Sequence, residues 1–243
     1  DRKYRVVMII PHNQMLAKAC MDKIETRFRE RMEIIKVFPF FENNMISSLH
    51  PDLILTVVPL QHELSIKTVS ISLFVNYEDE SQIFQALNQL DREKYHDQFC
   101  HIVKKLIGQE TFFIKKDIAS KEDAINYLCD NLIQLGYATQ EYKEDVFKRE
   151  EMAGTAFVQG FAVPHAITVQ PLRSTISVMV LKNPVKWGKY EVRLILLLSI
   201  SEQDNQMLHT FFDWLSNVLI DYNQLMQFIE ADNYQQFMKL MTA

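Results

Sequence analysis

Apolar runs of strand length alternate with stretches of helical period from the first residues onward, and this order of elements constrains the fold more than any other feature of the chain. Tyr4 to Ile10 (YRVVMII) is rich in β-branched and aromatic residues and predicts a buried strand. Pro11, His12 and Asn13 make a turn. Leu16, Ala19, Cys20, Ile24 and Phe28 then recur at helical spacing and predict a helix of about four turns. Met32 to Phe38 predicts a second strand, Leu53 to Val58 behind Asp52 a third, and the alternating stretch Ser65 to Val75 a fourth. Strand, helix, strand, segment, strand is the order of a small parallel α/β sheet with right-handed crossovers.

The character changes from Ser81 to Ile107, which is polar and helical with Ile83, Leu87, Leu90, Phe99, Val103 and Leu106 as its inner stripe. This stretch reads as a helical connection between two domains. Phe112 to Ile114 is a short strand. Ser120-Lys-Glu-Asp123 is a capping box that opens a helix carrying Ala124, Leu128, Leu132 and Leu135, and Gly136 stops it. Tyr142 to Glu151 is a charged amphipathic helix whose charge run reads as mostly a solvated face, Arg149 apart. Short apolar pieces, Ala156 to Val158 and Phe161 to Val163, flank Gln159-Gly160. Thr175 to Leu181 and Val192 to Ile200 are the most strand-like segments of this half, and Asn205 to Thr242 is helical by period. The fold class is therefore α/β in both halves: a small parallel sheet followed by an α/β domain with a mixed sheet.

Composition removes several classes of function. Apolar residues are 48% of the 243 and charged residues 23%, enough for a packed core. The longest apolar run, Leu194 to Leu198, is far short of the roughly 20 residues of a membrane helix. The opening residues are no signal peptide. A net charge of -5 without a basic cluster argues against direct nucleic-acid contact, which needs grouped Lys and Arg against phosphates. Cys20, Cys100 and Cys129 are an odd, widely spaced set with no CxxC pair, which excludes a disulfide framework and a zinc ribbon and suits a reducing cytoplasm. No glycine-rich nucleotide loop can be written. The chain does not begin with Met, and is read as a piece of a longer protein.

The stretch Arg149-Glu-Glu-Met-Ala-Gly-Thr155-Ala-Phe-Val-Gln-Gly160-Phe-Ala-Val-Pro-His165 is the most informative. A helix ends in charge, a turn holds Gly154 and Thr155, Gly160 makes a tight turn, and a short strand delivers His165 directly after a proline. Pro164 fixes its own φ and biases Val163 towards extended backbone, so the histidine has a defined orientation. Imidazole is a competent nucleophile towards phosphoryl groups near neutral pH. An arginine and backbone or hydroxyl donors would have to hold the phosphoryl oxygens. The plainer reading is that Pro164-His165 closes a strand.

Arg149-Glu150, Thr155, Gly160 and Ala162-Val163-Pro164-His165 resemble the RE…T…G…A(I/V)PH signature of the mannitol/fructose-type enzyme IIA domain of the bacterial sugar phosphotransferase system. The resemblance spans about residues 108 to 243. It implies that His165 is phosphorylated through the phosphocarrier protein HPr, or another phosphotransferase-system protein, and that Arg149, with Thr155 nearby, stabilises the phosphoryl group. A second family histidine supports the first. His209 is its nearest candidate, out of register by about two residues, and Met207 equally fits the position. Residues two apart on a helix differ by ~200°, so both cannot face the site.

Residues 1–85 resemble an enzyme IIB-like domain, carried by the Val6 to Ile10 strand, its helix and Leu53-Ile-Leu-Thr-Val57. Catalytic relatives end the first strand in a cysteine and a phosphate-wrapping loop. Here Ile10 and Pro11 stand at that place, and Cys20 falls inside the helix as a core residue. This half is read as having lost phosphoryl transfer. The resulting partition is 1–85 IIB-like with a degenerate phosphate loop, 86–108 helical connector and 109–243 IIA-like. IIB-like plus IIA-like tandems end transcription regulators of the LicR/MtlR/BglG type. The resemblance thus implies a regulatory module whose partners are HPr, the upstream regulation domains of the same chain and a second copy in a homodimer. No cofactor, no metal and no membrane is implied. Two other readings stay open: a IIBA phosphotransferase of a sugar transporter, and an interaction module with both sites vestigial.

Other histidines carry less. His96 and Cys100 are i,i+4 with His101 beside them, the edge of a zinc site without a fourth ligand. His12 follows the first strand where open α/β sheets bind ligands, and His62 follows the third in the same way. His50 before Pro51 reads as a loop residue. Trp187 and Trp214 read as core or interface.

Overall fold

The computed structural model describes residues 2–11 and 14–243. The chain divides into two compact units, Asp1–Lys94 and Tyr95–Ala243. His12 and Asn13, two of the three residues of the expected turn and the first of them the candidate ligand-site histidine, lie outside the described residues.

The first unit is built on β1 (Tyr4–Ile9), α1 (Gln14–Phe28), β2 (Met32–Phe38), α2 (Asn43–Ser48), β3 (Leu53–Thr56) and β4 (Thr68–Ser70). Its four strands form one parallel sheet in the order β2-β1-β3-β4. Alternate residues of β1 serve opposite cores. Val6 and Met8 pack with Cys20, Ile24 and Phe28 of α1, whereas Val7 and Ile9 pack with Phe38 and Ile46. Burial on both faces explains why β1 and β3 read as unbroken apolar runs. Leu16 is exposed and Ala17 packs in its place. Leu16 lies 12 residues before Phe28, about 120° off its face, while Ala17 lies 11 before and only about 20° off. The fourth strand is three residues, much shorter than the alternating stretch around it, because the chain turns at Leu73 and Phe74, where the Val75 amide donates to the Ser72 carbonyl at 3.2 Å and Val75 takes φ 48°.

Helix α3 (Tyr77–Leu106) runs for 30 residues. Ile83, Ala86 and Leu87 belong to the core of the first unit, and Phe99, Val103 and Leu106 to that of the second. The stretch 86–108 is thus mostly one helix shared out between the units.

The second unit continues with β5 (Phe112–Lys116), α4 (Lys121–Gln134), α5 (Gln140–Met152), β6 (Ala156–Phe157), β7 (Phe161–Ala162), β8 (Thr175–Trp187), β9 (Tyr190–Ser199), α6 (Asn205–Val218), α7 (Tyr222–Ile229) and α8 (Tyr234–Met241). The five strands form a mixed sheet in the order β5-β8-β9-β7-β6. β7 runs parallel to β9, and β8 and β9 form an antiparallel hairpin. Period-two alternation again divides two cores. Ile176, Val178, Val180, Leu194, Leu196 and Leu198 meet the C-terminal helices at Phe211, Leu215, Phe228 and Phe237. Met179, Leu181, Ile195 and Leu197 meet α4 and α5 at Leu128, Leu132, Tyr142 and Val146. Burying each such side chain contributes about 2 kcal/mol. Both halves are therefore α/β, the first with a parallel sheet and the second with a mixed one. Ser120 caps α4 by accepting from the Asp123 amide at 3.1 Å, and Gly136 takes φ +77° beyond its end. No helix among the described residues is long and apolar enough to cross a membrane.

Candidate functional site

His165 is delivered by a strand that stops two residues early. β7 pairs Phe161 with Leu194 and Ala162 with Ile195, and the same register resumes at a bridge between His165 and Leu198. The interruption is Pro164, which has no N–H to give. Its carbonyl still accepts from the Leu198 amide at 3.0 Å. On the other side, the Val163 amide donates to the Thr155 carbonyl at 3.1 Å. The turn before β7 needs Gly160 at φ +116°, and the Phe157 and Phe161 rings stack across it at 4.5 Å.

The ring itself is fixed. His165 Nδ1 lies 2.8 Å from the Val163 carbonyl oxygen. A carbonyl only accepts, so this contact calls for the proton on Nδ1, and the neutral ring that makes it has its lone pair on Nε2. The ring is half-buried and lines a cavity of about 180 Å³ at the carboxyl end of β9. Leu198, Ile200, Leu208 and Phe212 give this cavity an apolar side, Tyr142 contributes from α5, and the loop from Ala166 to Pro171 forms the rest. The Tyr142 hydroxyl hydrogen-bonds Ser199 Oγ at 2.6 Å, and burial pushes its pKa well above the ordinary tyrosine value.

The other residues singled out by the sequence are held in different ways. Arg149 donates from Nη1 to the Ala153 carbonyl at 2.7 Å, at the end of its own helix, and does not line the cavity. Thr155 is buried and engaged with Glu150: its amide donates to Oε1 at 3.0 Å and its hydroxyl to Oε2 at 2.6 Å. Trp187 Nε1 donates to the same carboxylate at 2.6 Å. Glu150 of α5 therefore ties the turn before His165, through Thr155, to the end of β8, through Trp187. His209 is exposed and does not line the cavity. Its helix turns Leu208 and Phe212, which are i,i+4, towards the imidazole instead, and Met207 packs beside the core.

The charge run of α5 is mostly a solvated face, with Glu141, Glu144, Lys148 and Glu151 exposed, but two of its carboxylates are buried. Glu150 is one. Asp145 is the other, and its Oδ2 accepts from the amides of Ile167, Thr168 and Val169 at 2.9, 2.8 and 2.8 Å. Burial alone would raise the Asp145 pKa, but the three amides and nearby Lys148 outweigh it and hold it below the usual carboxylate range. The sequence signal was the helical period, which places Tyr142, Asp145 and Val146 on one face. Asp204 at the start of α6 is held low first by Ser174 and also by Ser201, whose hydroxyls donate at 2.6 and 3.1 Å.

Cys20 is buried in the core of the first unit. Cys100 Sγ lies 3.5 Å from His96 Nε2, and among the described residues no group of three metal-binding side chains includes them. His50 and His62 are exposed. Trp187 is buried, and Trp214 stacks on Phe99 at 5.2 Å against the core.

Residues 105–243 match the family model described as phosphoenolpyruvate-dependent sugar phosphotransferase system, EIIA 2. The probable licABCH operon regulator of Bacillus subtilis (strain 168) is 23% identical over 232 residues, 96% of this chain and 35% of that protein. The chain thus spans about a third of that regulator's length. The mannitol-specific phosphotransferase enzyme IIA component of Halalkalibacterium halodurans is 28% identical over 141 residues, 57% of this chain and 89% of that protein. The crystal structure of IIA mannitol from Escherichia coli aligns with a TM-score of 0.49 at 21% identity, over 56% of this chain and 98% of that one. With the matched model covering more than half of its residues, the chain belongs to the EIIA 2 family of the phosphoenolpyruvate-dependent sugar phosphotransferase system.

Proposed function

We propose that the chain is the regulatory C-terminal module of a sugar-operon transcription regulator, controlled by phosphorylation of His165 through HPr or another phosphotransferase-system protein. The observation that carries this reading is the 2.8 Å contact of His165 Nδ1 with the Val163 carbonyl, which leaves Nε2 as the nucleophile. Nε2 attacks the phosphorus of the donor's phosphoimidazole. The new N–P bond forms as the donor's N–P bond breaks, and the donor imidazole leaves with the electron pair. Positive charge that develops on the His165 ring is met by the Val163 carbonyl through the Nδ1 proton. Arg149, at the start of the same motif, is the group that turns from the Ala153 carbonyl to the phosphoryl oxygens. Thr155 acts through the turn it holds rather than by touching the phosphoryl group.

Regulation fits better than a transport relay for two reasons. The alignment with the operon regulator runs through both units. The first unit, taken as IIB-like over residues 1–85, has a buried Ile10 and then Pro11 where a relay would need a nucleophile. Phosphorylation adds about two negative charges beside an apolar cavity, enough to change contacts with the upstream regulation domains of the same chain or with a second copy. Such a module works in the cytoplasm, without cofactor and without touching nucleic acid itself. Incubation with phosphoenolpyruvate, enzyme I and HPr tests the reading. It predicts one acid-labile phosphate on His165, absent from His165→Ala, and no phosphate at all would refute it.

A further inference from the structure

The segment after His165 is fastened by a side chain that takes no part in the chemistry just described. Three successive amides, Ile167, Thr168 and Val169, converge on Asp145 Oδ2 within 2.9 Å. Successive N–H groups pointing one way form a concavity that attracts anions. In this chain an internal carboxylate already fills it, so these amides do not serve a phosphoryl group. Asp145 is buried, and its helix also carries Tyr142, which lines the same cavity. The far end of the loop is tied as well, where Gln170 Oε1 accepts from the Glu202 amide at 2.7 Å. His165 stands between the Val163 carbonyl and this fastened loop.

We propose that Asp145 is a positioning residue for His165: by gathering the three amides it fixes the loop that follows the imidazole, and with it the ring's orientation and its Nδ1–H tautomer. The depressed pKa of the carboxyl agrees, since it keeps the acceptor charged. A misplacement of about 1 Å near a reacting group costs up to a hundredfold in rate. The rate consequence rests on His165 being the phosphoacceptor; the tautomer consequence does not.

The test uses the 243-residue chain as wild type, Asp145→Ala and Asp145→Asn. Nitrogen NMR of the histidine ring reads the tautomer, backbone amide shifts of residues 167–169 report the clasp, and the rate of labelling from phospho-HPr reports reactivity. Both variants should lose the downfield amide shifts, populate the other tautomer and label at least tenfold more slowly. Asn, with one oxygen left to accept, should fall between Ala and wild type, and it decides the matter where Ala does not fold. Displaced amides with an unchanged His165 tautomer and rate would overturn the proposal. A wild-type chain that takes no phosphate would sink the function proposed above and still leave the tautomer comparison to decide the role of Asp145.

Discussion

Two strand ends, one in each unit, run on in the sequence to a Pro-His pair, Pro11-His12 and Pro164-His165. β1 of the first unit runs out through buried Ile9 and Ile10 to an exposed proline. β7 of the second unit runs out through buried Val163 and Pro164 to a half-buried imidazole whose Nδ1 is tied to its own backbone. Both strands lie beside a parallel neighbour. Both units also clasp a loop with a buried aspartate. Asp79 accepts from Ser72 Oγ and the Asn76 amide, and Asp145 from the three amides beyond His165. The two strands stand in different sheets, parallel in the first unit and mixed in the second, and His12 lies outside the described residues. The function proposed for this chain rests on His165 and its local hydrogen bonds, not on the sheet that presents it.

The sharpest break would come from moving the reactive group. His165→Ala should abolish phosphate incorporation, measured as acid-labile label, while Cys20→Ala in the first unit should leave it unchanged. Label that survives the first substitution or falls with the second would place the chemistry in the wrong unit. Next in size, Arg149→Ala should slow labelling by about a hundredfold, the usual loss on removing one group that stabilises developing charge. Its melting temperature should stay near that of wild type, because the guanidinium makes one hydrogen bond to its own helix end. Glu150→Ala should cost about 3 kcal/mol in denaturant unfolding, since it strands the Thr155 amide, the Thr155 hydroxyl and the Trp187 Nε1 without acceptors.

The smallest expected effect is on pH dependence. Asp145 and Asp204 both have folded pKa values below the ordinary carboxylate range. Such groups contribute stability that is full above the unfolded value, about 3.9, and is lost as pH falls through the lower folded value. Acid titration of unfolding free energy should therefore steepen below about pH 4, and Asp145→Asn should flatten that loss. An unchanged slope would deny the aspartate its clasp.

Much of this was legible in the sequence for physical reasons that can be named. β1, β3, β8 and β9 are buried on both faces, so they announce themselves as apolar runs. The Pro164-His165 pair and Gly160 mark their turns by backbone constraint alone. The continuation of β8 to Trp187 was hidden by Pro184, which breaks the strand pattern and sits where the pairing with β9 shifts register between Val180 and Val185. Helix α2 buries only Ile46, too little to show a period. The roles of Glu150 and Asp145 were obscured because a charged stretch on a helix reads as solvent-facing; the helical period puts Asp145 beside Tyr142 and Val146, but the donors that hold the two carboxylates come from other segments of the chain. The apolar wall of Leu208 and Phe212 was missed for the converse reason. A search for a second imidazole looks to His209, while the helical phase puts the neighbouring leucine at the cavity.

The central claim is that His165 accepts a phosphoryl group at Nε2 because Nδ1 is already committed. Phosphorus and nitrogen NMR of the wild-type chain, after reaction with phosphoenolpyruvate, enzyme I and HPr, reads the bonded nitrogen directly. The account predicts a single phosphoramidate at Nε2 of His165 with Nδ1 still protonated. A phosphate on Nδ1, on another residue or on none would contradict it.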